Sequence, residues 1–270
     1  MSYDWISFTT DYGIDDGFVA ACEGVMARIA PVSRVLHISH TVPAQDVLRG
    51  AATLAQTVPY LPTSVHLAVV DPGVGTDRRA IVLTAAEGVL VGPDNGLLVP
   101  AAEMLGGIRE AHELTEPAYQ LSTVSATFHG RDVFAPAAAH LAIGVPPADF
   151  GSAIDPAELV RLPEPETHVG DDELATEIRS IDSFGNLQLA ATGADLDAFG
   201  AVPGTVVHAN LGARSVTATV GETFGDTSPD GLIVYVDSAG RVALAVNGGS
   251  AAVDFGCELS DPVVLFVADK

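Results

Sequence analysis

Val65-His66-Leu67-Ala68-Val69-Val70-Asp71-Pro72-Gly73-Val74-Gly75-Thr76-Asp77-Arg78-Arg79 is the stretch on which the fold turns. A short apolar run closed by turn residues is the pattern of a buried strand, here Val65–Val70. It ends on a carboxylate, followed by two glycines and a pair of arginines. Ligand sites in open α/β sheets lie at the carboxyl ends of strands. Glycines there let the backbone approach a ligand or leave amide groups free to bind one. Three other segments share the pattern: Phe8-Thr9-Thr10-Asp11-Tyr12-Gly13, Gly92-Pro93-Asp94-Asn95-Gly96 and Phe128-His129-Gly130-Arg131-Asp132. Four polar, glycine-bearing elbows within the first half of the chain point to an active site.

Around that stretch, strand and helix patterns alternate. Trp5–Thr9 reads as a strand, and a helix is expected from Asp15, with Phe18, Val19, Cys22, Val25, Met26 and Ile29 at helical spacing up to Pro31. Arg34–Ser39 is the next strand. Val47, Leu48, Ala51, Leu54, Ala55 and Val58 then share one helical face before Pro59. Ala80–Thr84 and Val89–Val91 form a hairpin around Glu87-Gly88, and a helix is expected from near Gly130 to Ile143. This βαβ order predicts an α/β fold whose first half is a mainly parallel sheet with flanking helices.

The pattern changes at Arg161-Leu-Pro-Glu-Pro-Glu-Thr-His-Val-Gly-Asp-Asp172, a stretch rich in prolines and acids without periodicity, read as a linker. Beyond it, short strand-like runs recur between turn residues, and no long helix is evident. A smaller all-β barrel or sandwich is expected, giving two domains, residues 1–162 and 173–270.

The composition narrows the function. The 270 residues suffice for a substantial core. No apolar run approaches the roughly 20 residues of a membrane helix, and no signal-like segment precedes Trp5, so a cytoplasmic protein is expected. With 35 acidic against 12 basic residues the formal charge is −23, which argues against nucleic acid or an anionic membrane as partner. Cys22 and Cys257 match no metal-binding spacing, and Cys22 reads as a small core residue.

Each polar residue also has a structural reading. Asp15 or Asp16 fits a helix cap, and Asp94-Asn95-Gly96 a turn. His37, His66, His112 and His140 fall within predicted strands or a helix. His129 differs, lying between an aromatic residue and a glycine at a helix entrance. Asp71, Arg78 and His129 gain specificity jointly with Asp11 and with Asp182-Ser183-Phe184-Gly185-Asn186.

Thr9–Gly13 with Asp16, Val70–Arg79, Gly92–Gly96, Phe128–Asp132 and Ile181–Asn186 together resemble, in order, the S-adenosyl-L-methionine (SAM) hydroxide adenosyltransferases, which are related to SAM-dependent fluorinating and chlorinating enzymes. The resemblance implies an N-terminal α/β domain and a C-terminal β-barrel. It also implies a homotrimer, with SAM held between the first domain of one subunit and the second domain of its neighbour, and no cofactor, SAM being the substrate.

Carried over, it implies that Asp11 accepts hydrogen bonds from the ribose hydroxyls. Asp16 and Asp182 face the methionine ammonium, and Ser238 holds the amino-acid end. Asn186 reads the adenine, helped by the backbone near Asn247, while Phe128, Gly130 and Phe184 line the ligand. Asp71, Arg78 and His129 surround the attacking water. The halogenating relatives have a tyrosine and a threonine where Asp71 and Arg78 stand, and a halide-contacting serine where Gly130 stands. They also have arginines at Ala239 and Val246, where Arg241 is a candidate substitute, and a stacking tryptophan at Gln45.

The chemistry suits such a set. Carbon 5′ of SAM carries a sulfonium, so methionine departs as a neutral thioether without a general acid. The protein must supply an oriented, desolvated oxygen nucleophile. Hydrolysis to adenosine and L-methionine is the leading expectation. The alternatives are a SAM- or adenosine-binding protein without significant turnover, a SAM-dependent halogenase, and a metal-dependent hydrolase built on Asp11, Asp71 and His129.

Overall fold

The computed structural model describes residues 2–212 and 214–267. The chain divides into two compact units, Met1–Leu162 and Pro163–Lys270.

The first unit contains β1 (Trp5–Thr10), α1 (Phe18–Ile29), β2 (Arg34–Ser39), α2 (Val47–Thr57), β3 (Val65–Val69), β4 (Ala80–Ala85) and β5 (Val89–Pro93). These are followed by α3 (Val99–Met104), β6 (Ile108–Glu113), α4 (Ala135–Ala142) and β7 (Ala153–Ile154). The sheet order is β2-β1-β3-β5-β4-β6-β7. Strands β2, β1, β3 and β5 pair in parallel, and β4, β6 and β7 continue the sheet in antiparallel pairings. The expected α/β sheet with flanking helices is present, and the β4–β5 hairpin falls where the sequence placed it.

Both faces of the sheet are covered, which is why its strands read as apolar runs. On one face Phe8, Leu67, Val69 and Val91 pack with Cys22 and Met26 of α1 and with the alanines of α4. On the other, Ala68, Val70, Ile81 and Leu90 pack with Leu54 of α2 and Ala101 of α3. The period-two division of β3 between these cores fixes its register, because a one-residue slip would exchange the faces. Cys22 is fully buried, as its helical position predicted.

The helices sort the connections. From β1 the chain passes through α1 to β2 on one side of β1, then through α2 to β3 on the other. The order therefore reverses between β1 and β3, and such a switch point opens a crevice at the strands' carboxyl ends. Asp11 follows β1 there, and Asp71 lies two residues beyond β3.

The second unit contains β8 (His168–Val169), β9 (Glu173–Ile181), β10 (Leu187–Thr192), α5 (Gly193–Phe199), β11 (Val206–Leu211) and β12 (Arg214–Val220). The remaining elements are β13 (Leu232–Val236), β14 (Arg241–Val246), α6 (Ala251–Phe255) and β15 (Pro262–Val267). Seven strands close in the order β9-β10-β14-β13-β12-β11-β15, with β15 pairing back to β9. Of the two expectations, barrel or sandwich, the closed barrel is the one present. Alternation along β9 sends Leu174, Thr176, Ile178 and Ser180 inward, and Leu187, Val207, Val234, Leu244 and Leu265 complete the interior.

Several details depart from the sequence expectation: β6 was not evident as a strand, and the stretch read as a linker, Arg161–Asp172, contains β8, which pairs with β9. Helix α1 begins at Phe18 and not at Asp15; its N-cap is Gly17 without a side-chain bond, so neither acid caps it. The segment from Gly130 opens with a π-helical turn, Gly130–Phe134, in which Ala135 N–H donates to Gly130 O. Short helices α3, α5 and α6 were not evident, because five to seven residues are too few to set up a helical period.

Candidate active site

The loop after β3 is folded by its own side chains. Thr76 Oγ1 donates to Gly73 O at 2.7 Å, and Val74 N donates to Asp71 O at 3.2 Å. Gly75 has φ +78°, and a Cβ there would meet Ala126 O at 2.4 Å, so only glycine lets this loop lie against the segment that leads to His129. Arg79 turns away from the site and clamps Asp94 from Nε at 2.8 Å. Asn95 Nδ2 donates to Val70 O at 2.8 Å. The Gly92–Gly96 elbow therefore braces the end of β3 and holds none of the reactive groups.

Arg78 points back across the loop. Its Nε donates to Asp71 Oδ1 at 2.9 Å and to Oδ2 at 3.0 Å, and Nη2 also reaches Oδ2. The guanidinium carbon lies 5.0 Å from the centroid of the buried Phe134 ring. Both partners are largely removed from water, at 11% and 6% side-chain exposure, so the pair is not a screened surface bridge. The same Nη2 lies 2.9 Å from His129 Nδ1. A guanidinium carries only donors, so Nδ1 accepts, and a neutral His129 carries its proton on Nε2. Burial first, and then the positive charge of Arg78, push the His129 imidazole below its ordinary pKa, against the opposing pull of Asp71 and Asp132.

His129 is set by a second ion pair. Asp132 is fully buried and accepts from Arg131 Nε at 2.6 Å, Arg131 Nη2 at 3.0 Å and Ser125 N at 2.8 Å. Leu121 N donates to its backbone oxygen at 2.9 Å. The loop approaching His129 is thereby tied to the π-helical turn that follows it. Nothing in the sequence separated this structural Asp132 from the ligand-facing acids.

At the end of β1, Thr10 Oγ1 bonds His40 Nδ1 at 2.9 Å, and Gly13 N donates to His40 O at 2.7 Å. These fix the turn that presents Asp11 and Tyr12. Asp11 Oδ2 accepts from Gln45 N at 2.8 Å, leaving further acceptor sites on the carboxylate. Tyr12, Phe18 and Phe128 form a cluster of edge-to-face rings with centroids 5.3–6.1 Å apart. Asp16 is exposed in the segment before α1 and makes no hydrogen bond among the described residues.

In the second unit, Asp182 Oδ1 accepts from Phe184 N at 2.9 Å and Asn186 N at 3.0 Å, and Oδ2 accepts from Asn186 Nδ2 at 2.7 Å. This carboxylate shapes the loop that leaves the Phe184 ring 76% exposed. Ser238 is exposed in the turn between β13 and β14, where Asp237 holds Ala239 N and Arg241 N. Asn247 donates from its backbone to Gly231 O at 3.0 Å and from Nδ2 to Thr227 O at 3.1 Å, so its own donors serve the barrel. Arg241 Nη1 is likewise committed to Ala190 O.

The structure thus unites Asp71, Arg78 and His129 in one bonded set, with Gly130 and Phe128 adjoining it in sequence, and it places Asp182, Phe184 and Asn186 in one loop. Ser238 and Asn247 lie at other turns of the barrel. Among the described residues, no group of three or more His, Cys, Asp or Glu side chains is arranged to hold a metal, and no helix is long and apolar enough to cross a membrane.

A doubly covered sheet bearing a carboxylate–guanidinium–imidazole set beside its switch point, followed by a closed barrel, defines a two-unit α/β plus β-barrel class. Within that class, the SAM hydroxide adenosyltransferase N-terminal domain matches residues 6–151 and the corresponding C-terminal domain matches residues 176–264; the chain belongs to this family. It is 59% identical over 251 residues to an (R)-S-adenosyl-L-methionine hydrolase of Salinispora arenicola, covering 93% of each chain. It is 30% identical over 279 residues to a fluorinase of Nocardia brasiliensis, again covering 93% of this chain and 92% of the relative. Among solved structures, an uncharacterized conserved protein from Thermotoga maritima superposes with a TM-score of 0.91 at 32% identity, covering 97% of this chain and 99% of that one.

Proposed function

We propose that this protein hydrolyses SAM to adenosine and L-methionine by in-line attack of water on ribose carbon 5′. The observation that carries the reading is the Arg78 guanidinium, which grips Asp71 and His129 together at the end of β3. The relative's name specifies the (R) sulfonium epimer, and the proposal adopts that epimer as substrate.

The roles follow from the donors and acceptors. His129 offers its Nε2–H to the water oxygen and cannot take the proton at Nδ1 while Arg78 occupies that nitrogen. Asp71 retains acceptor sites beyond those used by Arg78 and receives the proton as the carbon–oxygen bond forms. The carbon–sulfur electron pair leaves with methionine as a neutral thioether, so no acid is required on that side.

Asp11 holds the ribose hydroxyls, and Phe128 and Gly130 line the reacting end. Asp16 and the remaining acceptor capacity of Asp182 face the ammonium, and Ser238 contacts the amino-acid end. Phe184 and Asn186 meet the adenine, with the backbone near Asn247. By the family likeness the assembly is a homotrimer, with SAM between the first unit of one subunit and the second unit of the next. The reading requires no cofactor, no nucleic acid and no membrane, and a cytoplasmic setting suits its substrate. The bare Gly130 and the Asp71–Arg78 pair favour hydroxide over halide as nucleophile.

Reaction of each sulfonium epimer in ¹⁸O-labelled water tests this directly. The expected products are adenosine labelled at the 5′ oxygen and an equal amount of methionine, formed faster from the (R) epimer. Unlabelled adenosine, S-adenosylhomocysteine as product, or binding without steady-state turnover would overturn it.

A further inference from the structure

The space beside Gly130 is already occupied. A Cβ on that residue would lie 1.9 Å from Tyr12 Oη, 2.9 Å from Cζ and 3.2 Å from Cε2. The phenol end of Tyr12 therefore stands against the bare Cα of Gly130, next in sequence to His129. Packing accounts for the ring, which sits edge-to-face between Phe18 and Phe128. It does not account for the hydroxyl, which has no hydrogen-bond partner among the described residues. A phenylalanine would fill the same volume, and the hydroxyl is not sealed in the core as the unpartnered Thr9, Thr84 and His112 atoms are, so it is open to a group from outside the protein. The residue also follows Asp11 directly, and Asp11, Asp71 and Arg78 all act electrostatically on its phenol, so it is near both the carboxylate assigned to the ribose and the set assigned to the water.

We propose that the Tyr12 hydroxyl joins His129 and Asp71 on the attacking water, standing where a side chain at position 130 would otherwise project and accepting the water's second hydrogen, which leaves one lone pair aimed at carbon 5′. This rests on the hydrolysis reading above. Gly130 then has a definite purpose: it clears room for a hydroxyl delivered from the turn after β1. Burial, aided by Cys22, Asp11 and Asp71 against a smaller pull from Arg78, raises the phenol above its ordinary pKa. Tyr12 thus remains a neutral phenol at neutral pH; its oxygen accepts one hydrogen of the water, and the proton that is transferred still goes to Asp71.

The test is Tyr12→Phe, assayed with SAM beside the unaltered protein. Active sites in both are counted by adenosine titration, so that kcat is expressed per binding-competent site. The expected result is a fall in kcat of about 10-fold, the value of one well-placed hydrogen bond, with KM within about twofold. An unchanged kcat per site would overturn the assignment and leave hydrolysis standing. So would a loss accounted for entirely by fewer competent sites or by a raised KM. Absence of adenosine formation by the unaltered protein would instead sink the hydrolysis reading itself.

Discussion

Arg78 Nη2 and His129 Nδ1 meet at 2.9 Å, and because the guanidinium can only donate, this one contact fixes which ring nitrogen bears hydrogen. His129 then presents a donor to the site, and the choice between histidine and aspartate as proton acceptor falls to Asp71. That choice depends on geometry the sequence alone does not supply.

A donor role makes His129 partly replaceable by an amide. His129→Gln should keep kcat within about 10-fold of the unaltered protein, whereas His129→Ala, Asp71→Asn and Arg78→Ala should each lose about 10²-fold or more. KM should move far less, the signature of contacts made chiefly in the transition state. If glutamine proves as inactive as alanine in a folded protein, the donor role fails.

Acid should disable the site at a pH below the ordinary histidine range. Protonated His129 carries hydrogen on both nitrogens and turns an N–H toward Arg78, breaking the contact. Because burial and Arg78 lower its pKa, activity should hold down to about pH 6.5, the unperturbed value, and fall only below it. In His129→Gln that limb should vanish. A limb centred above pH 7 in pH–rate profiles would contradict the assignment.

His66 predicts a separate effect on stability. It is 1% exposed, bonded through Nδ1 to Ser7 Oγ at 2.8 Å, and burial lowers its pKa to about 4. The unfolded chain takes up a proton near pH 6.5, but the folded one does so only near 4. Stability from this group is therefore complete above about pH 6.5 and drains away as pH falls toward 4, by about 3 kcal/mol at most. Chemical denaturation of His66→Gln across that window should give a flatter pH dependence; an unchanged slope would refute it.

The shared-site proposal has its own check. Asp11→Ala and Asp182→Ala chains, each inactive alone, should recover part of the activity when mixed, through sites that draw both unaltered halves. No recovery despite subunit exchange demonstrated by mass spectrometry would count against a site built from two subunits.

Much of this was legible in the chain because the local chemistry was loud. A run such as Val65–Val70 is apolar only because both faces of β3 are covered, and the acids that end β1 and β3 follow directly from strand order. What stayed hidden depends on meetings across the fold. Asp94 and Asp132 look like ligand-facing acids in sequence, yet Arg79 and Arg131 commit them to bracing loops. Tyr12 passed as part of a motif, since nothing local says that its hydroxyl will stand against Gly130. Asp15 and Asp16 fit a helix cap on residue type, but the helix begins later, at Phe18.

The barrel closes by pairing β9, its first strand, with β15, its last. During synthesis the second unit must therefore wait for Pro262–Val267 to leave the ribosome before the ring of strands can shut, whereas Met1–Leu162 holds all the partners of its own sheet much earlier. A translation arrest shortly before Pro262 would release a chain with a finished first half and two unpaired strand edges, β9 and β11, in the second. Such edges invite pairing with other chains. The edge of β9 therefore stays open to other chains from its own emergence until Pro262–Val267 has paired with it.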